Sequence, residues 1–348
     1  MVLLAAALSA VALSLPLGLA GWLYFWPGVV PAVSRPRPQL ALTLGAFLGG
    51  AAFFQVAGAL WDAAEHVRTG LVPGGSDFLW PPHLTIYAGF LLAFLAGGGA
   101  VAGLGRRNLR GAVRSRPGLG VIVLGALYGL LSIPADALWH ELFGPDLTAW
   151  SPPHLLLAAA MVAEVAGGAW VLAGEADRGW AKVLLVVLLG LALDAALLAG
   201  VLEWELPGGR ALAVARSRPG WVYPTVTGIL AFAAFGLGRR LLNLRFGATA
   251  VGAVAFGARV GLTGLLSLGG TVVPGLPLPF VGGALGLDLS GGRGLAGVLG
   301  LVGGYLVLAV PAVLGRWPLG PWDLGLSAGI LTLAGVLASR VARPVGKD

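Results

Sequence analysis

Runs of about 20 residues without a single Asp, Glu, Lys or Arg recur along this chain, each long enough as a helix to cross a hydrocarbon layer of roughly 30 Å. An isolated strand cannot satisfy its backbone in lipid, so such runs predict helices. Charged residues make up only 11% of the chain and hydrophobic ones 57%, whereas a soluble domain carries about 25% charged residues. The 58 glycines fit the same reading. Small residues let membrane helices approach closely, while in a soluble bundle they would be destabilising. The expected fold is an all-α, polytopic transmembrane helical bundle of about 10–11 spans with a tandem two-helix hairpin repeat.

Candidate spans are 3–30, 39–66, 83–105, 117–140, 154–174, 181–204, 221–239, 246–268, 294–315 and 323–340. The first reads as a retained helix, since it has no basic leader and is too long for a signal peptide. Segment 270–290 is apolar but rich in Pro and Gly, which suits either an eleventh span or a re-entrant loop. The whole chain, 1–348, reads as one integral membrane domain. Residues 1–38 supply an N-terminal helix, 39–175 the duplicated hairpins, and 176–348 further helices of unassigned role.

Arginines crowd three short loops: Arg35 and Arg37; Arg106, Arg107, Arg110, Arg114 and Arg116; Arg239, Arg240 and Arg245. If the spans alternate, these loops share a side, which the positive-inside rule makes cytoplasmic. Arg210, Arg216 and Arg218 fall on the other side, and ten spans without an eleventh would send Arg340 and Arg343 there too. The net charge of +7 therefore reads as a topology signal in a plasma or inner membrane and not as a nucleic-acid surface.

The four histidines all fall in one phrase written twice. The first copy is Asp62-Ala-Ala-Glu-His66, then Trp80-Pro-Pro-His83; the second is Asp136-Ala-Leu-Trp-His140, then Trp150-Ser-Pro-Pro-His154. Residues four apart share a helix face, so each Asp projects with the His that follows it. Prolines favour the first helical turn, which places His83 and His154 at the start of the next helix. Each hairpin thus gathers one carboxylate and two imidazoles at one depth. Trp61, Trp80, Trp139 and Trp150 mark that depth as the membrane interface. A fainter third copy, Leu202-Glu-Trp-Glu-Leu-Pro-Gly208 with Thr225 in the place of the last histidine, has lost its imidazoles.

Two imidazoles and one carboxylate leave coordination positions open, as a metal that binds substrate or oxygen requires. Zero cysteines exclude disulfides, thiolate zinc sites and iron–sulfur clusters. The bland alternative is a set of interfacial residues that cap helices. Bis-histidine heme ligation ranks lower, because it leaves the paired aspartates unexplained.

The pattern resembles the membrane C subunit of particulate methane and ammonia monooxygenases. That subunit writes neighbouring metal sites in successive hairpins as Asp or Asn, three residues, His, then Pro-x-His. Asp62, His66 and His83 would match its first site, and Asp136, His140 and His154 its second. Asp77-Phe-Leu-Trp-Pro-Pro-His83 is similar to the family's Asp-Phe-Thr-Pro-Ser-His run. The resemblance covers about residues 60–155 and implies copper as the metal, with iron or zinc as alternatives. It also implies partner subunits and oxidation of a small apolar substrate.

Around these motifs, Asp77 and Asp146 sit in the turning loops, where they would cap a helix or bond an imidazole. Glu65 and Glu141 point off the histidine face, and Met161 reads as core. Glu164 and Asp194 lie within spans, where an uncompensated carboxylate costs a few kcal/mol, and Arg259 is the natural partner for either. They form either a structural ion pair or a proton or ion path. The latter would make the protein a metal or cation transporter. A heme-binding electron carrier is the third functional class.

Overall fold

The computed structural model describes residues 38–69, 79–105, 109–144, 148–175, 178–271, 273–292, 294–314 and 320–342. Among them helix is the only regular secondary structure. The elements are α1 (Pro38–Thr69), α2 (Pro81–Gly105), α3 (Leu109–Ser115), α4 (Pro117–Phe143), α5 (Pro152–Ala173) and α6 (Gly179–Glu205). They continue with α7 (Gly209–Ser217), α8 (Val222–Leu242), α9 (Gly247–Leu268), α10 (Val281–Leu289), α11 (Gly294–Leu314) and α12 (Pro321–Val341). Nine helices among the described residues are long and apolar enough to cross a membrane: α1, α2, α4, α5, α6, α8, α9, α11 and α12. Their bounds match the corresponding sequence-based spans to within a turn. The protein is an all-α polytopic bundle suited to a bilayer. Span 3–30 lies outside the described residues.

The chain divides into two compact units: α6 is split between Leu184 and Leu185, and the last turns of α1 after Asp62 and residues 147–149 belong to the second unit with everything from Leu185 onward. In the first unit, α1, α2, α4 and α5 pack through glycines. A Cβ on Gly58 of α1 would stand 2.9 Å from the Pro82 carbonyl oxygen, and one on Gly89 of α2 2.7 Å from that of Ala51. Gly129 of α4 faces the Phe90 ring, and Gly97 of α2 faces Ile122. Gly118 and Gly167 bring the backbones of α4 and α5 together, each oxygen within 2.7 Å of the other's missing Cβ. All these contacts are antiparallel between successive long helices. The Asp62 end of α1 and the C-terminus of α4 therefore lie with the N-termini of α2 and α5 at one end, which carries Asp62 and His83 of the first histidine phrase and Asp136, His140 and His154 of the second. Arg110, Arg114 and Arg116 lie at the other.

In the second unit, α8 and α12 run parallel. Thr225 donates to Ser327 at 3.1 Å near one end, and Gly236 abuts the Ala338 carbonyl near the other. α6 and α9 are also parallel, with Gly190 against Val254 and Ala255. Segment 270–290 turns out to be a crossing made of two unlike halves. Its first half is non-helical, and there Gly275 N–H donates to the Glu205 carbonyl at the C-terminus of α6, at 2.6 Å. The second half is α10, nine residues long, which at a 1.5 Å rise spans only about 13 Å. α10 ends where Asp288 accepts from Thr249 N–H and Oγ1, both at 2.8 Å, and from Arg239 Nη1 at 2.7 Å. The segment thus passes from the C-terminal ends of α6 and α9 to the N-terminal end of α9. That additional passage places Arg340, at the end of α12, with Arg239 and Arg240 rather than opposite them.

Candidate metal centre

Asp136 lies in the last two turns of α4, just beyond Pro134. Its Oδ1 is 3.8 Å from Nε2 of His140, one turn on, and 3.7 Å from Nε2 of His154, which belongs to α5. The start of α5 explains why His154 arrives there. Ser151 is extended (φ −63°, ψ 150°), prolines occupy the first helical positions, and Leu155 N–H closes the first turn on the Ser151 carbonyl at 2.9 Å. Fixed proline φ angles start a helix where no N–H is needed, so the residue after Pro-Pro must face back along the first turn. α2 begins the same way, with Leu84 N–H donating to the Trp80 carbonyl at 2.9 Å. Asp136, His140 and His154 keep 20, 21 and 33% of their side-chain surface, so a ligand can reach them.

In the first copy, His83 Nε2 stands 2.9 Å from Asp62 Oδ1. His83 is buried, with the Trp80 ring edge-on at 5.8 Å and the Tyr87 ring at 6.0 Å. His66 follows Asp62 by one turn on α1 and is half-buried. The structure therefore joins one imidazole directly to the aspartate across the hairpin.

These separations test the fit to a metal. Bonds of 2.0–2.2 Å from zinc-type ions to nitrogen or oxygen put tetrahedral donors about 3.4 Å apart. The two Asp136–imidazole distances are wider than that by a few tenths of an ångström. The Asp62–His83 pair is closer, at hydrogen-bonding distance. Among the described residues, no group of three or more His, Asp or Glu side chains has the spacing to hold a metal as it stands.

The carboxylates inside the spans are partnered. Glu164 on α5 accepts from the Gln55 side chain of α1, and both are fully buried. Asp194 takes the partner expected from the sequence: Arg259 Nε donates to its Oδ1 at 2.9 Å, while Arg259 Nη1 donates to Glu205 Oε2 at 2.7 Å. Gln55 and Glu205 escaped the sequence reading. The signal for Gln55 was an amide in the middle of an otherwise apolar span; for Glu205 it was its place in the worn third copy. Met161 is buried in α5, Glu65 is half-buried and Glu141 is exposed. Asp77 and Asp146 lie outside the described residues.

In the third copy Trp204 and Thr225 stand at the histidine positions, and the glutamates on either side of Trp204 are bound by arginine. Glu203 accepts from Arg218 Nη1 at 2.6 Å, from Thr148 Oγ1 at 2.5 Å and from Ala149 N–H. The Arg218 guanidinium also lies over the Trp204 ring, 4.9 Å from its centroid, and that ring stacks on Tyr223. Arg218 is thereby committed to a fixed contact, which accounts for one arginine at the end away from Arg239. Thr225 donates to Ser327 where the first two copies carry histidine. No protein-family model, no curated protein and no solved structure matches this chain.

Proposed function

We propose that the chain is an integral membrane metalloprotein whose two hairpins, Asp62/His66/His83 and Asp136/His140/His154, each bind a metal. In this reading it is a copper or iron monooxygenase-like subunit that works with partner subunits on a small apolar substrate. The observation that carries the proposal is the convergence at Asp136. One carboxylate oxygen stands between the Nε2 atoms of two histidines that come from different helices. Helix capping needs no such convergence.

Asp136 would hold the ion's charge, and His140 and His154 would supply neutral nitrogen donors, leaving positions open on the accessible side. In the first hairpin the ion would replace the contact between His83 and Asp62, with His66 as the further donor. A copper or iron ion bound in either set would supply redox chemistry towards dioxygen. The half-buried aromatic rim and the apolar helices would admit a hydrophobic substrate and limit competing water. The sites belong to the non-cytoplasmic face in this reading, since Arg110, Arg114 and Arg116 occupy the opposite end of the same unit.

Metal analysis of the full chain, purified in nanodiscs after growth with copper, iron and zinc, tests the proposal together with an absorption spectrum. Stoichiometric copper or iron that falls in Asp136→Ala supports it. A Soret band would replace it with a heme carrier, and a protein with no stoichiometric metal would end it.

A further inference from the structure

The first unit holds a buried carboxyl that the histidine hairpins do not use. Glu164 stands 12 residues from the start of α5 and nine from its end, and Gln55 meets it from deep within α1. Both side chains are fully buried, and the Gln55 amide donates to Glu164 Oε1. Glycines on two neighbouring helices press against the pair. A Cβ on Gly89 of α2 would stand 2.6 Å from Gln55 Cγ, and one on Gly125 of α4 would stand 2.9 Å from the Glu164 backbone nitrogen.

One hydrogen bond leaves this pair half satisfied. Gln55 Oε1 and Glu164 Oε2 are both buried acceptors, and neither meets a donor among the described residues. Buried polar atoms in folded proteins are almost always hydrogen-bonded. An ionised carboxylate can only accept, as can the amide oxygen, so these two oxygens cannot satisfy each other while Glu164 is charged. A protonated carboxyl supplies the donor. An amide and a carboxyl that share one N–H···O bond can then close a second, O–H···O, beside it.

Among the described residues no cation pairs with Glu164 instead. Arg116 lines a small cleft with Leu44 and Val171, which are eleven residues from Gln55 and seven from Glu164 along their helices, about 16 and 10 Å. Lys182 lies two residues from Leu184, whose side chain meets Gly45, ten residues from Gln55. Towards the other end, Asp62 is seven residues from Gln55, His154 ten from Glu164 and Asp136 eleven from Gly125. Within one turn of Gln55, Gly89, Gly125 and Glu164, the other titratable side chains are Tyr87 and Tyr128. A metal cation would need several oxygen ligands, and this apolar level offers few. Ionisable groups within a span pair with one another or give up their charge.

We propose that Gln55 and Glu164 form a proton-binding site inside the membrane, in which Glu164 carries a proton on Oε2 and donates it to Gln55 Oε1, closing a cyclic acid–amide pair. The proton gives both orphaned oxygens a bond and joins α1 to α5 twice over. Its removal would leave two acceptor oxygens side by side with nothing between them. The site stands whether or not the histidine hairpins bind metal.

Infrared spectra of the full chain in nanodiscs at neutral pH, grown with unlabelled or δ-carboxyl-13C glutamate, test the proposal. The wild type should show an isotope-sensitive carboxylic C=O band that is lost in Glu164→Gln, a variant whose amide–amide pair preserves both bonds and the fold. Should that variant fail size-exclusion, Glu164→Asp removes the band equally, because its carboxyl carries no glutamate label. In Gln55→Leu the same band should move to higher frequency, since its C=O loses the N–H donor; Gln55→Met makes the same comparison if Gln55→Leu does not fold. A wild type without the band would show an ionised Glu164 and overturn the proposal. A band that survives substitution of Glu164, or that does not move without Gln55, would overturn it as well.

Discussion

Gln55 donates its side-chain amide to the carboxyl of Glu164 from one apolar span to another, and neither side chain has any exposed surface. The bond ties α1 to α5, the outer helices of the two histidine hairpins. It lies ten residues from His154 along α5, about 15 Å at 1.5 Å per residue, so it braces the hairpins without belonging to the candidate metal centre.

Gln55→Leu should therefore destabilise the protein by roughly 1–3 kcal/mol, because it strands a buried polar group instead of merely deleting a bond. Gln55→Leu combined with Glu164→Leu should recover most of that loss, since replacing both partners with apolar groups is nearly neutral. Denaturation in mixed detergent, followed by helix content, measures both. A double variant no better than the single one would show that the pair has a role beyond satisfying each other. Metal content should be unchanged in both variants.

His154→Ala should remove about one metal per chain and leave the first hairpin loaded. Asp136 and His140 remain one turn apart on α4, but two donors from a single helix face hold a transition metal poorly without the third. His83→Ala should have the mirror effect on the first hairpin. Metal counting on each variant checks this, and loss of both ions from either single substitution would mean one shared centre.

Gly286 of α10 and Gly300 of α11 face each other so closely that a Cβ on either would meet the other's backbone carbonyl. Gly282 and Gly304 repeat the contact one turn away. Backbone cannot step aside as a side chain can, and overpacking costs about 1–3 kcal/mol even where neighbours give. Gly286→Ala and Gly300→Ala should lower thermal stability in detergent by several degrees. Gly303→Ala, on the same helix but with open space around it, should not. Equal effects from all three would assign the loss to helix flexibility and not to the α10–α11 contact.

The spans were legible because lipid tolerates so little else: uncharged runs between arginines fixed where helices could lie. The hairpin geometry was legible at Pro152-Pro153, where missing N–H groups dictate a helix start and hence the position of His154. The broken crossing was not. Its Pro and Gly residues signal non-helical backbone, but only the bonds of Gly275 to Glu205 and of Asp288 to Thr249 reveal that it runs from one end of α9 to the other. Asp62 and His83 show a different limit. Spacing brings them to one depth, yet whether they meet at 2.9 Å or stand apart around an ion depends on rotamers that no sequence pattern encodes. Long-range polar partners such as Gln55 and Glu164 are likewise set by helix packing and not by local pattern.

The orientation of the first unit can be read directly, because the chain has no cysteine of its own. Leu79 is exposed just before α2, at the histidine end, and Ser115 is exposed at the end of α3, beside Arg114 and Arg116. The positive-inside rule puts the arginine end in the cytoplasm, because basic loops resist translocation. Leu79→Cys should then react with a membrane-impermeant maleimide in intact cells, while Ser115→Cys should react only after the membrane is opened. Arg340 shares an end of the second unit with Arg239 and Arg240, so Arg340→Cys should behave like Ser115→Cys if both units obey the same rule. The reverse pattern at Leu79 and Ser115 would place the histidine hairpins on the cytoplasmic face and exclude delivery of metal or substrate from outside. A mixed result, with Ser115 protected and Arg340 labelled in intact cells, would show that the broken crossing does not carry the chain back to the arginine side.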